Sequence, residues 1–454
     1  MTHPAPVQRV VPVRLAPAIR LMLAASLKAG LLLCSSVLTV AAGTGWTTLP
    51  NAPFIDGRHD DVFFVNPDLG WVVNGAGEIH RTTDGGDSWE PQLFEPAVYF
   101  RAVGFANPLR GWAGNLNGSP LLYTTSDGGG TWTPLTNIPS PQPTGICGIW
   151  VVSESVVYAC GRYDGPPRVI KTTDGGATWT SQDLTPLATT LIDAYFVDQD
   201  NGFVVGGIGS SFFNRLAVIL QTTNGGASWV TRHTTTRTGE WSWKISFPTP
   251  MVGYVSIERF SDQAFFLKTT DGGQTWQDKF FLSAYEEQGI GFATPALGWI
   301  GGWTGPTYET TDAGTTWQLA GFGQNINRFR MLSPALGYAV GETVYKYTLE
   351  TAGLAAGEAG SAPGLRLAQN YPNPFQGTTT IGYAIAGESV VRMSIYNAAG
   401  RRVATLADGP VLPGEHELVW DGRDPQGQPV GSGVYWIRLE AGGATEVKPL
   451  LITR

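Results

Sequence analysis

The chain has 454 residues, among them 59 Gly, 31 Pro and 16 Trp, and only 15% of it is charged. That is a turn-rich, aromatic-rich β composition, long enough for a large core plus a second domain. With 37 acidic against 29 basic residues and no basic run or stripe, nucleic acid is excluded as a natural partner.

Arg9, Arg14, Arg20 and Lys28 precede or interrupt an apolar run from Leu21 to Val40, and no acidic residue occurs before Asp56. This layout predicts a secretory signal peptide over residues 1–42, with Val40-Ala41-Ala42 as the cleavage site. Lys28 leaves an uncharged stretch from Ala29 to Val40, well short of the ~20 apolar residues a spanning helix needs. No other stretch approaches that length, so no transmembrane segment is expected once the leader is removed. Residues 1–42 hold four of the 29 basic residues and no acid, so their removal leaves 25 against 37, a net charge of −12. Cys34 follows Leu31-Leu-Leu33, whereas a lipoprotein signal wants a small residue before its cysteine.

From Trp46 onward the chain repeats. An octapeptide of the form Thr-Thr-Asp-Gly-Gly-x-Ser/Thr-Trp ends at Trp89, Trp132, Trp179, Trp229, Trp276 and Trp317, with gaps of 43, 47, 50, 47 and 41 residues. A second pattern precedes each box: an aromatic, a short turn, Gly, another aromatic. It runs Phe64 to Trp71, Phe105 to Trp112, Phe196 to Phe203, Phe247 to Tyr254, Phe292 to Trp299 and Met331 to Tyr338, with a degenerate copy from Trp150 to Val157. Seven hairpins against six boxes predict four-stranded units repeated seven times, a propeller. The last unit, Phe329 to Tyr347, lacks a box, and Gly45-Trp46-Thr-Thr-Leu49 resembles a box tail. The N-terminal strand is therefore expected to complete blade seven, with Trp46 beside Tyr345 and Tyr347, which leaves no open edge.

Cys147 and Cys160 flank a predicted hairpin turning at Ser153-Glu154, a register in which they face each other. Two readings follow: a disulfide suited to an exported protein, or two buried thiols. Residues 351–363 are small and almost uncharged and read as a linker between a propeller over 43–350 and a domain over 364–454. About seven short alternating strands in that last part, including Val390 to Tyr396, Glu415 to Trp420 and Gly433 to Glu440, predict an immunoglobulin-like sandwich. The expected fold is all-β: a seven-bladed β-propeller followed by a C-terminal immunoglobulin-like β-sandwich.

The box aspartates Asp84, Asp127, Asp174, Asp271 and Asp312 are read as turn formers that accept amides one to three residues on, each followed by a Gly at positive φ and a buried Trp. Asn224 stands in the fourth box, which keeps the turn's hydrogen bonds but not the charge, so a metal or catalytic role is disfavoured. Such repeats resemble the Asp-box (BNR-repeat) propellers, and within them the photosystem II stability/assembly factor-like family, over residues 45–349. The tail carries a second resemblance. Gln369-Asn-Tyr-Pro-Asn-Pro-Phe375, Ile395-Tyr-Asn-Ala-Ala-Gly-Arg-Arg-Val-Ala-Thr-Leu406 and Val430-Gly-Ser-Gly-Val-Tyr-Trp436 are similar to type IX secretion (Por) C-terminal sorting domains of the FlgD immunoglobulin-like kind. That resemblance implies the type IX secretion machinery as a partner. It also implies delivery to the outside or the outer-membrane surface of a Gram-negative, Bacteroidota-like bacterium.

The propeller resemblance is weak for activity, because such boxes occur in sialidases, xyloglucanases and non-enzymatic factors alike. A sialidase-like site needs an arginine clamp and a Tyr–Glu nucleophile pair; Tyr99-Phe-Arg101-Ala-Val lacks the family's early arginine signature, and Tyr285-Glu286-Glu287 is the nearest Tyr/Glu neighbourhood. The five His are scattered and no Cys-x-x-Cys pair or phosphate loop occurs, so no metal or cofactor is expected. The leading reading is a non-catalytic binding or interaction propeller with a protein or glycan ligand; the alternative is a glycan-active hydrolase on the same scaffold. Candidate binding residues lie just before each repeat aromatic, where the chain enters the innermost strands: Asp60, Asp61, Arg101, Asp193, Trp241, Trp243, Lys244, Glu286, Glu287, Arg328 and Arg330. Trp241 and Trp243 could stack on a sugar or peptide, or pack between blades four and five.

Overall fold

The computed structural model describes residues 45–259 and 263–349 and, toward the C-terminus, 365–368, 370, 375, 377–397, 402–431 and 433–452. The predicted leader with Cys34, the linker 351–363, most of Gln369–Phe375 and the Gly400 turn lie outside the described residues. The chain divides into two compact units that part between Leu349 and Glu350.

The first unit is seven four-stranded antiparallel sheets. Blades one to six each take four consecutive strands, the first being His59–Phe64, Phe100–Phe105, Gly148–Val151, Thr190–Phe196, Glu240–Ser246 and Glu287–Phe292. Blade seven has Arg328–Ser333, Leu336–Val340 and Val344–Thr348 and takes its fourth strand, Trp46–Thr48, from the N-terminus. The pairing is Trp46 with Tyr347 and Thr48 with Tyr345, as the boxless last repeat required. The Trp46 indole is closed in on four sides, stacked on Phe322 with centroids 4.6 Å apart and edge-on to Trp299 at 5.2 Å.

The two sequence motifs meet between blades. The second aromatic of one hairpin stacks on the first aromatic of the next: Trp71 on Phe105 at 3.4 Å, Tyr158 on Phe196 at 3.7 Å, Tyr254 on Phe292 at 3.5 Å and Tyr338 on Phe64 at 3.5 Å. The box tryptophan then packs edge-on against that ring, as Trp132 does on Phe105 and Trp229 on Phe196. The edge-on contacts are a preferred geometry of aromatic quadrupoles, while the stacked pairs lie face to face. The hairpin Gly has a steric cause: the first aromatic folds back over it, and a Cβ on Gly70 or Gly253 would lie 2.6 or 2.5 Å from the ring of Phe64 or Phe247. In blades three, five and seven a Tyr–Lys pair reaches the next box, Lys171 Nζ donating to Gly225 O, Lys268 to Ala313 O and Lys346 to Gly85 O.

Each box is a self-satisfied turn. In the first, Asp84 Oδ1 accepts from Thr82 Oγ1 (2.8 Å) and from Ser88 N (2.9 Å), and Thr82 Oγ1 accepts from Gly86 N (2.8 Å). The amide bonded here is four residues on, since both residues after the aspartate turn left-handed, Gly85 at φ +69° and Gly86 at +96°. In the sixth box the amide three on, Thr315 N, also bonds Asp312 Oδ1 at 3.0 Å. Ser88 Oγ and N and then Thr82 Oγ1, all donating, hold the Asp84 carboxyl down at about 2. Asn224 makes the same bonds, to Thr222 Oγ1 at 3.1 Å and Ser228 N at 2.9 Å, so the turn needs an acceptor and not a charge.

The expected Cys147–Cys160 disulfide is corrected: both are free buried thiols. Cys160 pairs with Gly148 rather than Cys147, a one-residue slip from the predicted register. Because strand side chains alternate in direction, that slip puts the two sulfurs on opposite faces. Cys147 packs with Ile192, Trp241 and Trp243, and Cys160 with Tyr158, Val169 and Leu191.

The second unit is two antiparallel sheets. Leu365–Leu367, Thr379–Ile385 and Gly414–Trp420 form one; Arg402–Val411, Ser389–Asn397, Gly433–Ala441 and Ala444–Ile452 form the other, in that order. Ile381, Val391, Met393, Ile395, Trp420, Ile437 and Leu439 fill its core. Among the described residues of the chain no helix is long and apolar enough to cross a membrane.

Candidate functional site

The first strands of all seven blades ring the propeller axis, and five of them carry a bulge at one shared position. The register shifts between His59 and Asp61, Phe100 and Ala102, Leu191 and Asp193, Ser242 and Ile245, and Glu287 and Ile290. A bulge re-aims the extra side chain. Here the bulges displace the residue four positions before the motif aromatic, and in blades five and six the next one as well. With the ladder-paired minus-three residues of the other blades they build two layers across the axis.

In the outer layer the residues at minus four bond one another. Asp60 Oδ1 accepts from Arg101 and from Arg58 Nε, and Asp60 O accepts from Asn327 Nδ2 at 2.6 Å. Asn327 Oδ1 accepts from Trp243 Nε1 at 2.9 Å, and the Arg101 guanidinium lies 5.2 Å from the Trp243 ring centre. Gln288 takes a bond from Arg58 and gives one to Glu258 at 3.1 Å. Blades three and four contribute Cys147 and Ile192, both fully buried and packed with Trp243.

The inner layer is held by the minus-three residues. Arg328 is bidentate on Asp193 (2.8 and 2.9 Å) and reaches Asp61 Oδ1 at 3.0 Å. Asp61 also accepts the Val62 and Val103 amides, and Arg330 approaches it at 3.6 Å. Lys244 Nζ, with 1% exposure, has no hydrogen-bond partner in the protein.

The sequence candidates therefore divide. Asp60, Asp61, Arg101, Asp193, Trp243, Lys244, Arg328 and Arg330 converge on the axis, but they form a buried plug and not an open binding face. Trp241 lies at the edge of the plug, packed with Cys147, Ile192 and Trp243 and against Phe212 of blade four at 4.3 Å, so of the two tryptophans it is the one that reaches between blades four and five. Glu287 is buried under the Ile257 amide, and Glu286 sits half-buried at the mouth. Tyr285 donates its hydroxyl to Pro306 O at 2.5 Å and is not paired with either glutamate by a hydrogen bond. Arg58, Glu258, Gln288 and Asn327 were not picked out by sequence reasoning. Gln288 and Asn327 carried a signal, since each stands four residues before its motif aromatic, Phe292 and Met331.

Burial dominates the electrostatics. It lowers Lys244 to about 7, with Arg328 and Arg101 adding repulsion against the pull of Asp193. It raises Glu258 to about 7 against the opposing Gln288 bond and Arg58, and lifts Glu287 well above its usual range. At Asp193 burial pushes upward, but Arg328, Lys244 and Arg330 outweigh it and hold the carboxyl below its ordinary value. Among the described residues no group of three or more His, Cys, Asp or Glu could hold a metal ion.

The mouth of this plug lies on the face opposite the boxes. Glu287 pairs with Gly302, so the turn between strands two and three of blade six stands where the first strand begins. The box follows the third strand at the other end.

A seven-bladed propeller joined to an immunoglobulin-like sandwich is the class the fold defines. Residues 370–444 match the FlgD Ig-like domain family. Among solved structures the chain is similar to YCF48 from Cyanidioschyzon merolae, at TM-score 0.52 and 19% identity over 67% of this chain and 99% of that one. A structure of YCF48 bound to D1 peptide matches at 0.50 and 19%, over 67% and 96%. An ancestral GH74 enzyme matches at 0.51 and 14%, over 90% of this chain and 64% of its own. These likenesses carry the fold alone. No curated protein matches the chain.

Proposed function

We propose that the protein is an exported, non-catalytic binding propeller that presents its plugged face to a macromolecular ligand and is delivered to the cell surface by its C-terminal domain. The supporting observation is the state of the axial carboxylates. Asp60, Asp61 and Asp193 are buried and each is held by arginine, so none is free to act as acid, base or nucleophile. Propellers of this fold serve both roles, one structure being of YCF48 bound to a peptide and another of a GH74 enzyme, and the plug favours the first. The Asp-box turns are read as structural elements of that scaffold. Export is supported by the basic, then apolar N-terminus and by the FlgD Ig-like match, which is the basis for type IX routing to a Gram-negative outer surface.

The test is a combined screen of the purified full chain on glycan and peptide arrays, followed by product analysis of every glycan retained. Binding without new reducing ends is the expected result. Release of a cleaved product by the wild-type protein would overturn the reading in favour of the hydrolase.

A further inference from the structure

Of sixteen tryptophans, fifteen are buried or half-buried, and Trp303 alone is exposed, at 43%. It stands on the blade-six turn at the mouth of the plug, and that turn is closely packed. The Tyr285 ring lies flat beneath it. A Cβ on Gly302 or Gly305 would come within 2.6 Å of that ring, and the Tyr285 hydroxyl is anchored on Pro306 O. Thr304 is held at φ +65°, a conformation a β-branched residue adopts only under constraint. Ala284 at +71° and Asn325 at +57° flank the same end of the blade, so three of the four non-Gly residues at positive φ among the described residues gather here. Strain concentrated around one exposed aromatic is the mark of a held binding group.

The surroundings narrow the ligand. One side of the indole is occupied by Arg58, its guanidinium 4.3 Å from the ring centre and itself fixed by Asp60, Gln288 and Asn325. A cation already on the π-cloud opposes a second one across the ring, which excludes ammonium ligands. Among the described residues no other aromatic ring packs against Trp303, so there is no second wall of the kind a proline-rich or aromatic peptide side chain needs. What borders the platform is polar. Its own amide donates to Glu286 O at 2.9 Å, Glu286 is half-buried beside it, and the Thr304 side chain is exposed. A flat apolar platform rimmed by a carboxylate and a hydroxyl suits the C–H face of a pyranose with its hydroxyls turned to the rim. The acidic chain, at net −8, disfavours a polyanionic sugar.

We infer that Trp303 is the stacking platform of a neutral-carbohydrate site at the mouth of the propeller, with Glu286 and Thr304 meeting the ring hydroxyls. This rests on the binding-propeller reading and names its ligand class. The test uses the full chain with cello-, xylo-, malto-, laminari- and chitohexaose as probes, by calorimetry and by acrylamide quenching of tryptophan emission. One hexaose is expected to bind and to shield the part of the quenchable emission that Trp303→Phe removes, since Trp89, Trp150, Trp317 and Trp436 are half-buried and contribute the rest. Trp303→Ala should weaken that binding at least about tenfold, equivalent to about 1.4 kcal/mol. Trp303→Phe should retain part of it, and both variants should melt with the wild type. No binding by any hexaose, or binding within twofold in Trp303→Ala, overturns the inference; so does a Trp303-dependent peptide from the array. Each of these leaves the binding reading standing, whereas cleavage of a hexaose would sink that reading instead.

Discussion

The boxes and the axial plug both satisfy clustered polar groups, the boxes at the surface and the plug in the interior, and they do so in opposite ways. Each box closes its hydrogen bonds within seven residues of chain, from Thr82 to Ser88 in the first copy, and works with Asn224 as well as with aspartate. The plug closes its bonds across blades one, two, four, five, six and seven, through Asp60, Arg101, Asp193, Trp243, Gln288 and Arg328, and leaves Lys244 unbonded. Local satisfaction tolerates substitution; a network spanning the ring does not. The plug is also weak evidence for stability, since buried ion pairs recover little beyond their desolvation. It fixes which blades face which.

The largest effect that would break the contrast is Arg328→Met, which strands Asp61 and Asp193 in the interior. It should cost about 3–5 kcal/mol in denaturant unfolding, and a loss below 1 kcal/mol would make the plug dispensable. Gly253→Ala forces a methyl onto the Phe247 ring and should cost about 1–3 kcal/mol, which tests whether the aromatic collar is as unforgiving as the axis.

Two axial substitutions should differ in their pH dependence. Lys244 titrates near 7 in the fold against 10.5 in the open chain, so its contribution is whole above 10.5 and is lost as pH falls toward 7. Lys244→Met should therefore stabilise the fold below pH 7 and not at all above 10.5. Glu258 is raised from 4.5 to about 7, so its contribution is whole below 4.5 and is lost as pH rises through 7. Glu258→Gln should stabilise above pH 7 and be silent below 4.5. Urea melts at four pH values separate the two, and parallel profiles would sink the assignment.

Thr304→Gly should raise stability by about 0.5 kcal/mol by releasing the left-handed strain while loosening the Trp303 turn. The smallest effect belongs to the boxes. Asp174→Asn should leave the melting temperature unchanged, and Asp174→Ala should lower it.

Much of this was legible in the sequence because it is local and repeated. The blade count, the borrowed Trp46 strand and the glycines under the aromatics follow from motifs whose partners lie at fixed offsets. The disulfide expectation failed because a hairpin's register depends on one residue of loop, and an odd slip reverses every side chain. The axis was half legible: counting back from the aromatics gave Asp60, Asp61, Arg101, Trp243, Lys244 and Arg328. Whether they would meet water or one another depended on bulges and on Arg58, Gln288 and Asn327 from blades far apart in the chain. Trp303 escaped notice because its importance is exposure, which no local pattern encodes.

Ring closure has a mechanical consequence. The strand Trp46–Thr48 runs antiparallel to Val344–Thr348, with Gly45 O bonded by Thr348 N at the end where the propeller's first and last strands leave the ring. Tension between those ends loads the three-residue ladder one bond at a time, as in unzipping, and never in shear. Pulled by its tail, the propeller would open at blade seven and release Trp46 while the other six blades still held their load.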